Sequence, residues 1–154
     1  MVKVIGGGAE LKEGRGGKKL LRIKITAEVD GVRHEYVITY GRHGADNAAV
    51  GRAYASVDAP GGREADAERF AAVIKALKGR EPKVYRMKDG TIIIKCYGEH
   101  LEGFMRYTEL ADAVVRWLEK LDKGRTMREG WPKYLVRLKK ARLRSDSAHL
   151  TPTA

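Results

Sequence analysis

"KLLRIKITAEVDGVRHEYVITYGR" (Lys19–Arg42) decides the fold class. Leu21, Ile23, Ile25, Ala27 and Val29 alternate with Arg22, Lys24, Thr26 and Glu28, the period-two pattern of a strand with one buried face. Asp30-Gly31 supplies a two-residue turn, and Val32–Tyr40 is again rich in β-branched and aromatic residues, so the stretch predicts an antiparallel hairpin. A second hairpin follows from "PKVYRMKDGTIIIKCYG", turned at Asp89-Gly90. Between them, "AAVGRAYASVDAP" predicts a further strand at about 49–57, ended by Ala59-Pro60-Gly61-Gly62.

Two segments change period. In "EADAERFAAVIKALKGREP", Phe70, Val73, Ile74 and Leu77 form a helical stripe, acids occupy the first turn, and Gly79 with Pro82 ends it. "EHLEGFMRYTELADAVVRWLEKL" predicts a short helix over 99–105 and a longer one carrying Leu110, Val114, Trp117, Leu118 and Leu121. The order ββ(β)-α-ββ-α-α predicts an α+β fold, a curved antiparallel sheet with helices on one face. "GGGAELKEGRGGKK" (Gly6–Lys19) has six glycines among fourteen residues, and the reading is a flexible segment over 6–17. It is not a phosphate-cradling loop, because a strand follows it and the GxxxxGK[ST]–helix frame is missing.

The 154 residues suit one domain, expected over 1–144 with a polar, disordered tail at 145–154. No apolar run has the length of a membrane span and the start lacks a signal peptide, so a cytoplasmic protein without a membrane partner is expected. Cys96 has no second cysteine with which to form a disulfide or a thiolate zinc site, and it reads as a small apolar strand residue. The chain has no Gln, a single Asn (Asn47) and 33 % charged residues, a composition expected of a hyperthermophile.

Three stretches, "APGGREADAERFAAVIKALKGREPKVYRMKDGTIIIKC", "EHLEGFMRYTELADAVVRWLEK" and "GRTMREGWPKY", together resemble the paralogous repeat family (type 2b) of Pyrobaculum and related hyperthermophilic archaea. The resemblance spans roughly residues 50–140 and implies lineage rather than chemistry. The element order also resembles one half of a LAGLIDADG homing endonuclease, whose ββαββα unit forms a saddle on DNA. The helix carrying that family's motif and metal-binding acid has no counterpart before the first hairpin, so no catalytic residue carries over.

Catalytic constellations are thin. Glu64, Asp66 and Glu68, and likewise Glu99 and Glu102, sit where a helix dipole favours acids, which accounts for them without a metal. His100 has no second His four residues on, Cys96 and His100 lack an orienting third group, and Ser56, Ser145 and Ser147 lie outside any GxSxG frame. No metal or cofactor is expected.

Charge says more. The net charge is +11, and residues 123–154 carry nine Lys/Arg against two Asp/Glu. In "WPKYLVRLKKARLR", Lys133, Arg137, Lys139, Lys140, Arg142 and Arg144 accompany Trp131 and Tyr134 without a carboxylate. Arg22 and Lys24 point away from the apolar face of the first hairpin, where Glu28 and Glu35 offset them. On the second hairpin Lys83, Arg86, Lys88 and Lys95 flank Tyr85 and Tyr97, offset only by Asp89. Lys and Arg on a strand edge also guard against aggregation. The excess favours a polyanion partner, and the expectation is a non-catalytic protein that contacts the phosphates of duplex DNA or structured RNA, ribosomal RNA included. Alternatives are a module that forms a homodimer through sheet edges, or a degenerate LAGLIDADG-like nuclease.

Overall fold

The computed structural model describes residues 1–43, 48–78, 80–122 and 149–150. The chain forms β1 (Val2–Glu13), β2 (Lys19–Val29), β3 (Val32–His43), β4 (Ala48–Tyr54), α1 (Gly62–Lys78), β5 (Lys83–Arg86), β6 (Ile92–Cys96), α2 (Gly98–Phe104) and α3 (Thr108–Asp122). The strands make one antiparallel sheet in the order β1-β2-β3-β4-β6-β5. The α+β architecture and both Asp-Gly hairpins follow the sequence pattern. Asp30 (φ 49°) and Gly31 (φ 85°) are both left-handed, as a two-residue turn matched to the strand twist requires.

The core lies between one sheet face and the helices. Leu21, Ile23 and Ile25 of β2, Tyr36, Ile38 and Tyr40 of β3, and Ile94 and Cys96 of β6 are buried against Phe70, Val73, Ile74, Phe104, Val114, Trp117 and Leu118. Helix α3 packs on β1 and β2, α1 on β6, and α2 on β4 and β6. Two of the large buried aromatics have their polar ends hydrogen-bonded to backbone: the Trp117 Nε1–H donates to the Lys19 carbonyl at 3.0 Å and the Tyr40 hydroxyl to the Tyr97 carbonyl at 3.0 Å. No helix among the described residues is long and apolar enough to cross a membrane.

One expectation is corrected. Residues 6–13, read as part of a flexible segment, belong to β1, which pairs with β2 in regular register apart from a slip between Val4 and Gly6. Val2, Val4, Ala9 and Leu11 pack against the core, and Gly7 is there for close approach. A Cβ on Gly7 would collide with the Lys24 carbonyl oxygen and stand 2.8 Å from Leu150 Cδ1. The motif helix of a LAGLIDADG unit therefore finds a strand in its place. Of the tail expected over 145–154, residues 149–150 are among those described: Leu150 is 3 % exposed and its amide donates to Glu109 Oε2 at 2.9 Å. The Leu150 side chain packs where Gly7 of β1 leaves room.

Candidate functional site

The sheet face opposite the helices carries the even-numbered residues of β2 and the odd-numbered residues of β5 and β6. The pairing register sets Glu10, Arg22, Thr39, Arg52, Lys95 and Lys83 in one line across all six strands. Neighbouring strands lie about 4.8 Å apart, so Arg52, Lys95 and Lys83 rise from adjacent strands as three consecutive cations. Like charges directly opposite across a ladder destabilise it. Among the described residues no carboxylate is ion-paired with Arg22, Arg52, Lys83 or Lys95.

Tyrosines interleave with these cations. Lys95 Nζ lies 4.8 Å from the Tyr85 ring centre and Lys83 Nζ 5.7 Å from that of Tyr97, both within cation–π range. The two phenol oxygens are hydrogen-bonded at 3.2 Å. Burial, and then this bond, push the Tyr97 phenol up to about 12. Sharing the bond lowers Tyr85, helped by Lys83 and Lys95. The next line holds Tyr54, Ile93 and Tyr85 as successive cross-strand partners, and Lys24 stands on the same face between Gly8 and Val37. Towards the first turn the face is balanced, since Glu28 lies between Lys3 and Arg33.

Arg22, Lys24, Lys83 and Lys95 thus stand on one face as the alternation predicts. Arg86 does not. It pairs with Ile92 in register, on the helix side, where its Nε donates to both oxygens of Glu64 at 3.0 and 3.1 Å and its Nη2 contacts the same carboxylate. The four bases of the second hairpin cannot share a face because the strand period is two: Lys83 and Lys95 go one way, Arg86 the other, and Lys88 sits in the exposed turn. Trp131, Lys133, Tyr134, Arg137, Lys139, Lys140, Arg142 and Arg144 lie outside the described residues.

Three of the five carboxylates considered for catalysis are engaged elsewhere. Glu64 holds Arg86, Glu99 holds Arg80, and the buried Asp66 accepts the Ser56 amide at 2.7 Å. His100 is buried, its Nδ1 accepting the Tyr97 amide at 2.9 Å where α2 begins. Burial pushes the Cys96 thiol up to about 12, the opposite of what a nucleophile needs. Among the described residues no group of three or more His, Cys, Asp or Glu could hold a metal ion.

Sequence reasoning passed over Arg52 and Tyr54. Their signal is the alternation in "GRAYAS", which puts both on one strand face. Their value comes from β4 lying beside β6, a pairing that skips β5. The chain matches no protein-family model, no curated protein and no solved structure.

Proposed function

We propose that this protein binds nucleic acid without catalysis, through phosphate contacts on the helix-free sheet face. The observation that carries the reading is the unbroken line Arg52–Lys95–Lys83, three uncompensated cations on adjacent strands, with Arg22 two strands beyond Arg52 in the same line. A polyanion laid along it relieves their mutual repulsion and releases its own condensed counterions. Engagement of Glu64 and Glu99 by Arg86 and Arg80 supports binding rather than metal-dependent hydrolysis.

The test is fluorescence anisotropy of labelled DNA and RNA titrated with the full chain across a salt series. Log K should fall linearly with log salt, by about 0.7–0.9 per neutralised phosphate, and Arg52→Ala with Lys95→Ala should flatten the slope by about two contacts. Absence of binding near physiological salt, or an unchanged slope in the double variant, would overturn the reading.

A further inference from the structure

The exposed large apolar residues among those described are Met1, Tyr54, Val57, Tyr85 and Met87. Three of them share one face and one end of the sheet. Tyr54 and Tyr85 flank Ile93 in register, and Met87 continues the alternation of β5 beyond Tyr85, its amide donating to the Thr91 carbonyl at 2.8 Å. Isolated exposed apolar side chains are ordinary, but a cluster beside uncompensated cations is a binding surface.

We propose that the ligand is a single-stranded nucleic acid, its bases stacked on Tyr54 and Tyr85 and its phosphates on Arg52, Lys95 and Lys83. This inference rests on the nucleic-acid reading above. The tyrosines rise two strands apart, about 10 Å, and the cation line runs two residues away, about 6.7 Å along the strands. Aromatic and cationic residues therefore leave the backbone in parallel rows, and the rows meet at the Tyr85 ring, 4.8 Å from Lys95 Nζ. A duplex keeps its base faces inside the stack and offers only edges in its grooves, so tyrosines standing on an open sheet find nothing to stack on. An unpaired strand can splay its bases onto such a platform, and every base has a face to offer, which makes the contact tolerant of sequence.

The Tyr85 ring is oriented before any ligand arrives, by its hydroxyl's bond to Tyr97 at 3.2 Å and by Lys95 at 4.8 Å. With 39 % of its surface open it still has area for a base. Tyr54, 64 % exposed, is the more accessible of the two, and its substitution removes nothing from the core.

The experiment compares a labelled pyrimidine-rich single strand, as DNA and as RNA, with a hairpin duplex of equal length, using the full chain over a salt series. The single strand should bind at least tenfold tighter than the duplex. Tyr54→Ala and Tyr85→Ala should each weaken single-strand binding roughly tenfold, with the salt slope unchanged. Tyr54→Phe should retain the affinity. If the duplex binds equally well and the tyrosine variants are silent while Arg52→Ala still flattens the slope, stacking is overturned and the phosphate-binding reading stands. If neither nucleic acid binds, both fall, and the tyrosine cluster is left as a protein contact.

Discussion

Arg52 and Lys95 are direct cross-strand partners in β4 and β6, two cations face to face with Lys83 as the next in line. Removing one should stabilise the fold while weakening the ligand. Arg52→Thr puts a β-branched neutral residue on the ladder and should raise stability by a few tenths to about 1 kcal/mol at low salt. The gain should shrink as salt screens the repulsion in the parent. Urea unfolding at two ionic strengths, run beside the binding assay, checks the opposite signs.

Arg86 and Lys83, three residues apart in the chain, should behave as different kinds of residue. Lys83→Ala should lower the salt slope of binding by about 0.7–0.9, one phosphate contact, whereas Arg86→Ala should leave affinity and slope unchanged. The Arg86 effect belongs to acid stability. Its hydrogen bond holds the Glu64 carboxyl below the ordinary 4.5. That contribution is present above the ordinary value and is lost as pH falls through the lowered one. Acid unfolding of Arg86→Ala should therefore show a smaller loss of stability over this range than the parent.

Cys96 gives the alkaline counterpart. Its thiol, ordinarily 9.0, is raised to about 12 by burial alone. A raised folded-state value means that the unfolded chain releases the proton first, so stability is whole below pH 9 and declines from there towards 12. Tyr97 adds to the same limb, and the difference between the parent and Cys96→Val isolates the thiol. A thiol reagent at neutral pH should leave native Cys96 untouched and label it only on unfolding.

Leu150 should prove structural despite its place near the end of a polar stretch. Leu150→Ala should cost about 2 kcal/mol or somewhat more, the lower part of the range for a buried leucine. Gly7→Ala should also destabilise, because the added methyl meets the Lys24 carbonyl and the Leu150 side chain. A chain ending at Gly130 loses this contact along with the basic run. The run's part in binding is therefore better tested by replacing Lys133, Arg137, Lys139 and Lys140 with glutamine in the full chain.

Much of the fold was legible because it is written in local periodicity. Alternation over 21–29 and the Asp-Gly turns specified both hairpins, and the spacing of Phe70, Ile74 and Leu77 specified α1. β1 was hidden because Gly6, Gly7 and Gly8 in its middle suppress both strand propensity and the apolar pattern, and only the closeness of the Lys24 carbonyl and Leu150 to Gly7 gives a reason for one of them. Of the candidate site, Arg22, Lys24, Lys83 and Lys95 could be read from alternation, since period two tells which face a residue takes. It does not tell which strand stands next to which.

The sequence by itself determined the α+β class, the two hairpins, the helices and the sign of the charge, because these depend on residues a few positions apart. The tertiary structure alone decided that β4 lies between β3 and β6. That adjacency brings Arg52, from a strand forty residues upstream, into line with Lys95 and Lys83, and Tyr54 into line with Tyr85. The packing of α1 on β6 likewise placed Glu64 within reach of Arg86. Strand order is settled by which sheet surface the helices can cover, a property of the whole core that no local pattern encodes.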